Sequence, residues 1–393
     1  MYNVCPICDH NEHIKLIGIT DMPVYCNILL GSKDLALAAN LGDIDLVACP
    51  NCSHIYNKTF DPGKMDYDVE YENSLHYSAT FADYTENLAN KLVDTHNLKG
   101  KNIVEIGCGK GDFLESVCAA GNNQGYGFDR SYDKNRFDKF AFPHVNFYQE
   151  FYGPEHTNIP MDFLCCRHVL EHIQYPIDFI NEIKTIAKNF DQAGIYFEVP
   201  NGLFTLRDFG IWDIIYEHCS YFTPHSLRYT FDKCNLDVSN IEETFNAQFL
   251  SLEAKKSVHA TKEVPQKPEG QANQTFINLA NSFFDDYQKL QSSWKEKFID
   301  YKRRNYTVVI WGAGSKGITF MNIFKNNGEI QYAVDLNPHK HGKFAPGSGQ
   351  EIIPPEKLKK ILPDVIIVMN KAYLAEISST AKNLGLGAEL IPV

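Results

Sequence analysis

Two glycine-rich segments, each placed between an apolar run and a helical pattern, set the strongest limit on how this chain folds. The first is "VEIGCGKGDFLESV", around Gly107, and the second is "IWGAGSKG", around Gly312. A strand that passes through such a turn into a helix is the opening unit of an open parallel sheet, because glycine lets the backbone turn sharply. The sequence therefore predicts two α/β units in one chain.

The segments between and around these turns predict how the chain is divided. After the first turn, the apolar runs "NIVEI", "GYGFD", "VNFYQ", "DFLCCR" and "GIYFEV" alternate with helical stretches, as a parallel sheet requires. A polar, proline-containing stretch over residues 258–272 indicates a linker, and residues 274–304 have the spacing of one long amphipathic helix. We therefore predict an α/β protein with a Rossmann-like core over residues 66–257, a linker and helix over residues 258–304, and a smaller Rossmann-like domain over residues 305–393.

Four cysteines near the start of the chain form two Cys-x-x-Cys pairs, in "CPIC" and "CPNC". They are Cys5, Cys8, Cys49 and Cys52. Two such pairs brought together supply the four thiolates of a tetrahedral zinc site, which leaves no coordination position open for catalysis. We therefore expect residues 1–65 to form a small zinc-binding domain with a structural metal. The other seven cysteines show no pairing pattern and are expected to be small core residues.

Charge and hydropathy exclude some classes of partner. The net charge is −12 and is spread along the chain, which argues against nucleic acid or an acidic membrane as the main partner. An anionic small molecule stays possible, since local basic residues can still line a site. No apolar run of about 18 residues is present and the first residues lack a signal pattern, so we expect a cytoplasmic protein with reduced thiols. Monomer and dimer both remain open.

The first glycine segment has the spacing acid-x-Gly-x-Gly-x-Gly, which differs from the Gly-x-Gly-x-x-Gly of dinucleotide folds. Glu105 is its acid, Gly107 and Gly109 follow, and Asp129 ends the next predicted strand. These residues strongly resemble class I methyltransferases that bind S-adenosylmethionine. The resemblance implies that Gly107 and Gly109 face the methionine part of this cofactor and that Asp129 accepts hydrogen bonds from its ribose hydroxyls.

The resemblance also assigns residues after the third and fourth strands. Gln149, which follows the third, is a candidate for the adenine side of the cofactor. The segment "CRHVLEHI" follows the fourth strand and contains His168, Glu171 and His172. In class I methyltransferases such a segment flanks the cofactor and faces the substrate.

A carboxylate, an imidazole and three aromatic rings come together in "YEHCSYFT", which begins at Tyr216. This segment follows the fifth predicted strand, whose carboxyl end opens onto the ligand cleft of an α/β sheet. An aromatic staple in a loop is one interpretation. The other is catalysis at a carbon next to a ketone, which needs a base and donors to the enolate. His218 would take the proton, Glu217 would orient or tune it, and His172 would donate to the enolate. Tyr216 is a further catalytic candidate.

The order of zinc knuckles, methyltransferase core, "EHCSYFT" and C-terminal Rossmann-like unit resembles the nucleotide-sugar C-methyltransferases of deoxysugar biosynthesis, over essentially the whole chain. Those enzymes methylate a dTDP-linked 4-keto-6-deoxy sugar at the ring carbon next to the ketone. Where the family has Tyr-His-Glu-His, this chain has Ile215 at the first position and Tyr216 one position later. Methylation at oxygen or nitrogen of a sugar or small metabolite therefore stays open. Tyr71 or Tyr77 corresponds to the family's tyrosine that closes over the cofactor.

The second glycine segment, residues 312–317, has the spacing Gly-x-Gly-x-x-Gly, and Asp335 lies beyond it as in an NAD-binding fingerprint. One alternative is therefore an NAD-dependent oxidoreductase, and another is a turn that only packs its helix. The family resemblance implies a third, in which loop amides and a helix N-terminus face the pyrophosphate of a nucleotide sugar. The basic residues 339–341 would serve the same anion or form a solvated loop.

Overall fold

The structure is a computed structural model that describes residues 2–65, 71–133, 144–187, 190–257, 271–327 and 330–393. Most of the predicted linker, residues 258–270, lies outside these described residues. None of the helices in the described ranges combines the length and the apolar character needed to cross a lipid bilayer.

The N-terminal part of the chain is built around an antiparallel sheet. Its elements are β1 (Ile14–Pro23), α1 (Lys33–Leu37), β2 (Leu41–Ala48) and β3 (Ile55–Asn57). One cysteine pair precedes β1, and the other lies in the turn between β2 and β3. The antiparallel pairing of β2 with both neighbours brings the two pairs to one end of the sheet.

The next part of the chain contains the core, a seven-stranded sheet with helices on its faces. Its elements are α2 (Ala79–Thr95), β4 (Asn102–Ile106), α3 (Asp112–Gly121), β5 (Gln124–Phe128), β6 (Val145–Tyr148), β7 (Phe163–Arg167), α4 (Pro176–Ile186), β8 (Gly194–Pro200), α5 (Gly202–Arg207), β9 (Ser220–Tyr221), α6 (Pro224–Lys233), β10 (Leu236–Thr244) and β11 (Phe249–Lys256). The strand order is β10-β11-β8-β7-β4-β5-β6. Strands β4 to β8 are parallel and β11 is antiparallel to its neighbours, so the five predicted apolar runs are confirmed as the parallel strands.

Strand β9 lies in the segment "YEHCSYFT" but does not join the core sheet. It pairs antiparallel with β3, with Ile55 opposite Tyr221 and Tyr56 opposite Ser220. The N-terminal sheet therefore has the order β1-β2-β3-β9 and takes its fourth strand from the core. The predicted boundary near residue 65 divides the chain in sequence, but it does not divide this sheet.

The C-terminal part has a long helix and a five-stranded parallel sheet. Its elements are α7 (Gln271–Arg303), β12 (Val308–Trp311), α8 (Ser315–Ile323), β13 (Ile330–Val334), β14 (Glu351–Ile353), α9 (Leu358–Ile361), β15 (Val365–Val368), α10 (Leu374–Asn383) and β16 (Glu389–Pro392). The strand order is β14-β13-β12-β15-β16, a Rossmann-like sheet as predicted. Helix α7 confirms the predicted long helix and buries Trp294 against Phe320 of α8, with ring centroids 4.9 Å apart.

The two glycine-rich turns face each other across one cavity. The first follows β4 and the second follows β12, and each of these strands lies where the strand order of its sheet reverses. Ligands of open α/β sheets bind at the carboxyl ends of strands at such positions. Residues of both turns line a shared cavity of about 880 Å³. The fold therefore creates one binding region from two sheets.

Candidate active site

The first glycine turn has the backbone that its sequence predicts. Gly107 has φ +73° and Gly109 has φ +55°, both in the left-handed region. A Cβ atom on Gly107 would lie 2.1 Å from Cγ2 of Val169, so only glycine fits there. At Gly109 the position of a Cβ is open on the cavity side, where the nearest neighbour is the side-chain oxygen of Asn73 at 3.9 Å. The turn therefore leaves room for a ligand beside its backbone.

Asp129 closes this turn. Its Oδ2 accepts a hydrogen bond from the Gly109 N–H at 2.8 Å, and its Oδ1 accepts one from the Ser131 N–H at 2.7 Å. Asp129 lines the cavity. Each carboxylate oxygen has a second lone pair, so the group can still accept hydrogen bonds from a diol. This geometry suits the ribose role expected of Asp129.

Glu105 is buried directly beneath the turn. Burial raises the pKa of its carboxyl group to about 8. Its Oε2 has no hydrogen-bond partner among the described residues, and the residue lines the cavity. An unpartnered buried carboxyl oxygen is costly unless a ligand satisfies it. Glu105 therefore stays a candidate ligand beside the first glycine turn.

His168 carries a positive charge at the carboxyl end of β7. Its backbone is left-handed, with φ +54°, and its Nε2 lies 3.1 Å from Oε1 of Glu198. Arg167 reaches the same oxygen at 2.7 Å. Burial alone would lower the pKa of His168, but Glu171 and Glu198 outweigh it and raise that pKa to about 9. A protonated imidazole cannot accept a proton, so His168 is excluded as a base near neutral pH.

His172 and His218 form a pair at the cavity. Their ring centroids are 4.9 Å apart, with the planes at 73°. His172 donates from Nδ1 to the backbone carbonyl of Glu217 at 3.0 Å, which leaves its Nε2 for a ligand. His218 has a buried Nδ1 with no hydrogen-bond partner among the described residues. Burial, followed by the charge on His172, lowers the pKa of His218 well below its usual range. His218 is therefore a neutral imidazole that can accept a proton.

One further acid lies beside this pair. Ligand atoms of Glu171, His172 and His218 all lie within 4.8 Å of one another, and Oε2 of Glu171 is buried with no hydrogen-bond partner among the described residues. These three groups together can surround a cation, or an enolate and the proton that has been removed to form it. Glu171 thus places a buried carboxyl group next to the two rings.

Glu217 does not orient His218 through its carboxylate, which corrects the expected contact. Its Oε2 accepts a hydrogen bond from the Cys26 N–H at 2.8 Å, and the Tyr71 hydroxyl faces the same carboxylate. Burial raises the pKa of Glu217. Its contribution to the pair is the backbone carbonyl that holds His172. The carboxylate ties the site to the N-terminal domain.

Tyr216 is not placed to act on a substrate, which corrects the expected catalytic role. Its hydroxyl accepts a hydrogen bond from the Asp61 N–H at 3.0 Å, and its ring packs 5.6 Å from that of Phe60. Ile215, one residue earlier, lines the cavity instead. Residues 215–218 form a turn, closed by a hydrogen bond from the His218 N–H to the Ile215 carbonyl at 3.3 Å, and the two neighbouring side chains leave it toward different surroundings. The shift of tyrosine by one position therefore moves its hydroxyl into the N-terminal domain.

The remaining cofactor candidates divide into two groups. Tyr71 and Tyr77 both line the cavity, as expected. Gln149 is exposed, its Nε2 lies 3.5 Å from the Arg130 carbonyl, and it is not among the described residues that line the cavity. Arg130 and Phe151 occupy that wall instead. The structure thus gives no support to Gln149 as an adenine ligand.

The second glycine turn repeats the arrangement of the first. Gly312 has φ +111°, and Oδ2 of Asp335 accepts from the Ala313 N–H at 3.0 Å while Oδ1 accepts from the Asn337 N–H at 2.9 Å. Lys340 is buried, and its Nζ lies 3.3 Å from Oδ2 of Asp335. The predicted basic tract is therefore partly used to hold the acid.

A lysine that was not singled out in the sequence lies between the two turns. Lys316, at the start of α8, forms an ion pair with Asp213 and lines the cavity. Its charge also contributes to the low pKa of His218. The available signal was a lysine inside a glycine-rich turn at a helix N-terminus, which is typical of phosphate-binding loops.

The four cysteines predicted as ligands come together. Cys5 and Cys52 have their sulfur atoms 3.6 Å apart, and those of Cys8 and Cys49 are 3.5 Å apart. A tetrahedron with metal–sulfur bonds of about 2.3 Å has edges of about 3.8 Å. Both sulfur–sulfur distances are close to this value, and all four sulfur atoms lie within 4.8 Å of one another. The quartet is one of the groups in the described residues that can hold a metal.

Comparison with known proteins agrees with this geometry. Residues 76–241 match the family model of a methyltransferase domain, and residues 248–392 match that of a C-methyltransferase C-terminal domain. A search among curated proteins gives no significant match. The second match places residues 312–317 in a C-methyltransferase domain, so the NAD-dependent alternative is not supported.

Solved structures that resemble the chain align with less than half of it. Magnesium protoporphyrin IX methyltransferase from Synechocystis PCC 6803, solved with bound SAH, shares 17% identity over 45% of this chain and 84% of its own, with a TM-score of 0.35. A SAM-dependent methyltransferase from Aquifex aeolicus shares 19% identity over 42% of this chain and 88% of its own, with a TM-score of 0.34. The assignment rests on the two family models: the chain is an S-adenosylmethionine-dependent methyltransferase of the class I, Rossmann-like fold, and its residues 248–392 resemble a C-methyltransferase C-terminal domain.

Proposed function

We propose that this enzyme methylates a nucleotide-linked keto sugar at the carbon next to its ketone. The observation that carries the proposal is the neutral His218 beside His172, at a cavity that both glycine turns line. A hydroxyl or amine acceptor is already nucleophilic, whereas a carbon acceptor needs a base and a group that holds the enolate. The two rings supply both.

The cavity offers separate places for donor and acceptor. Its volume of about 880 Å³ lies near the upper end of the range of about 300–1,000 Å³ for small-molecule sites, which suits two ligands side by side. S-Adenosylmethionine, which supplies the methyl group, would be held by the first turn with Asp129 at its ribose. The acceptor's nucleotide would lie on the second turn, with Asp335 on that side.

The position of Lys316 suggests how the acceptor is oriented in the cavity. The N-terminus of α8 and a lysine favour a phosphate group. Lys316 also lies close enough to His218 to lower its pKa. A pyrophosphate on Lys316 would therefore leave the attached sugar at the two histidines, between the nucleotide and the methyl donor.

The proposed reaction begins at the neutral imidazole of His218. His218 takes the proton from the carbon next to the ketone, and the electrons of that C–H bond form the enolate. His172, held through Nδ1 by the Glu217 carbonyl, turns its Nε2 edge toward the enolate oxygen and stabilises it. The enolate carbon then attacks the methyl group, S-adenosylhomocysteine leaves, and the proton on His218 passes to solvent.

Transfer assays test the acceptor directly. With ¹³C-methyl S-adenosylmethionine and a panel of nucleotide-linked keto sugars, we expect a new methyl signal on a sugar carbon. Lys316→Ala should raise the KM for the acceptor about tenfold, as expected for loss of one charged hydrogen bond, and leave cofactor affinity unchanged. Lys359→Ala, exposed in the same domain, is the matched control. A methyl signal on oxygen or nitrogen only would refute the carbon assignment.

One observation favours the second candidate, transfer to oxygen or nitrogen. Ile215 lines the cavity where the related family has a tyrosine, so one hydroxyl donor to an enolate is missing. An acceptor that carries its own nucleophile does not need that donor. The same assay separates the two candidates, because the chemical shift of the methyl group differs between carbon, oxygen and nitrogen.

Asp129→Ala tests the cofactor side. The variant loses a charged acceptor for ribose hydroxyls, worth roughly 1.5–3 kcal/mol. Calorimetry should therefore show S-adenosylmethionine affinity lower by about ten- to a hundredfold. Asp129→Asn keeps an acceptor and should lose less, and Asp94→Ala, on the exposed face of α2, should match the parent. Parent-like affinity of the alanine variant would remove Asp129 from the site.

For the cysteine quartet we propose one structural zinc. The sulfur spacing supports it, and so does the backbone, which is the same at both Cys-x-x-Cys pairs. The Cys5 carbonyl accepts a hydrogen bond from the Asp9 N–H, and the Cys49 carbonyl accepts one from the Ser53 N–H. All eleven cysteines lie in the described residues and are free thiols. Thiolate ligands require a reducing compartment, so we also propose a cytoplasmic location.

A further inference from the structure

Residues 71–78, which we call the strap, run over the first glycine turn and lead into α2. Most of the strap lines the cavity, including Asn73, His76 and Tyr77. Its inner side follows the turn: Nε2 of His76 lies 3.8 Å from Oδ2 of Asp112, and Asn73 lies beside Gly109. A methyl donor held by the turn would therefore lie beneath the strap.

The outer side of the strap is held by one carboxylate from the C-terminal domain. Glu376 of α10 accepts hydrogen bonds from the Ser78 hydroxyl at 2.7 Å and from the Thr80 hydroxyl at 2.9 Å. It also accepts from the Ala79 and Thr80 N–H groups, both at 3.3 Å. Four donors thus converge on one side chain that is almost 300 residues away in sequence.

The electrostatics of this contact are favourable. Ser78 is the N-cap of α2, whose 17 residues give a full helix dipole with its positive end at the strap. A carboxylate at that end satisfies orphan N–H groups and interacts favourably with the dipole. Hydrogen bonds to a charged group are also stronger than neutral ones. Glu376 therefore fixes the end of the strap where it joins the helix.

A second contact ties the start of the strap to the second glycine turn. The Asn337 side chain donates to Oε1 of Glu72 at 2.9 Å. The Asn337 backbone donates to Asp335, the acid that closes the second turn. The strap is thus fastened at both ends to the domain that would receive the acceptor.

We propose that Glu376 is a positioning residue that keeps the strap closed over the methyl donor, so that the C-terminal domain controls how long the donor stays bound. The role of Glu376 in holding the strap over the methyl donor is argued from the cavity and the strap alone. An effect of the bound acceptor on release of the methyl donor rests on the proposed function, because it requires the acceptor's nucleotide to lie on the second turn.

Cofactor release tests the positioning role without any acceptor. In stopped-flow measurements, Glu376→Gln should release S-adenosylmethionine about tenfold faster than the parent, with an unchanged thermal midpoint. Glu356→Gln, an exposed carboxylate of the same domain, should match the parent. Ser78→Ala/Thr80→Val removes the partner hydroxyls and should speed release to a similar extent.

A double-mutant cycle separates the strap contact from a direct contact of Glu376 with ligand. When the three changes are combined, release should be no faster than in Glu376→Gln alone, because the same contact is lost once. Additive effects, or parent-like release from Ser78→Ala/Thr80→Val, would overturn the proposal.

A second release experiment adds a nucleoside diphosphate, without the sugar, to stand in for the acceptor. The nucleoside diphosphate should slow cofactor release from the parent protein, and it should not slow release from Glu376→Gln. Slowing of equal size in both proteins would overturn the control by acceptor. Failure of methyl transfer to keto sugars would count against the proposed function but would leave the cofactor-release result valid, so the two failures are distinguishable.

Discussion

His218→Ala should lower kcat by about 10²–10⁴, the usual contribution of a general base, while S-adenosylmethionine affinity stays within about twofold of the parent. The reason is its place: the ring lines the cavity beside His172 and makes no contact with the first glycine turn among those that the structure gives for the described residues. His225→Ala is a matched control, since this half-buried histidine is not among the described residues that line the cavity.

Isotope exchange isolates the proton transfer. In heavy water with S-adenosylhomocysteine bound, the parent should exchange deuterium into the carbon next to the ketone of the acceptor without methylating it. His218→Ala should not exchange. If the parent methylates without any exchange and His218→Ala keeps nearly its full rate, the carbon-acid mechanism is refuted.

The pH profile gives the same residue a second test. His218 acts in its neutral form, and burial lowers its pKa well below the usual value of about 6.5. Activity that depends on this base is therefore retained through pH 6.5 and lost only as the pH falls through the lowered pKa. An acid limb of kcat at or above pH 6.5 would contradict this environment, and the limb should be absent in the residual activity of His218→Ala.

Loss of the metal at the cysteine quartet should have the second large effect, on folding. Zinc bound by four thiolates contributes about 10–16 kcal/mol in small domains, which is comparable to the whole stability of a protein. Cys5→Ser should therefore lower the yield of folded enzyme far more than the turnover of the molecules that remain soluble. Metal analysis should find one zinc per chain.

A matched variant shows whether this loss comes from the metal. Cys234→Ser changes another buried cysteine, whose thiol donates to the Ile177 carbonyl, and should leave zinc content and yield close to the parent. Protein prepared without chelator that contains no zinc would refute the metal site. Turnover that falls in proportion to zinc in fully folded protein would instead indicate a catalytic metal.

The sequence predicts the parts of this fold whose pattern is local. The central parallel strands β4, β7 and β8 are buried along nearly their whole length, so they are continuous apolar runs that the sequence displays directly. The glycine turns need positive φ angles, and this requirement restricts the residue type. The cysteine pairs are equally local. These features predicted the turn at Gly107, the acid Asp129 beside it and the cluster of four cysteines.

The parts that could not be predicted depend on contacts between distant segments. The predicted catalytic role of Tyr216 was wrong because its side chain is oriented by a hydrogen bond with Asp61 of the N-terminal domain. The Glu217 carboxylate meets Cys26, a partner that no spacing rule connects with it. Glu376 lies on an ordinary amphipathic helix, and its function is visible only where that helix meets α2. Such contacts follow from tertiary packing and leave no periodic signal.

The pairing of β3 with β9 limits how this enzyme can be assembled and re-engineered. The N-terminal sheet is complete only after the catalytic segment has been synthesised, because its fourth strand is Ser220–Tyr221. A fragment that ends near residue 65 would expose an unpaired strand edge and should aggregate. For the same reason, a chimera that exchanges the N-terminal domain with that of a related enzyme must also exchange residues 216–223. The N-terminal sheet and residues 216–223 therefore form one structural unit, although they lie far apart in the sequence.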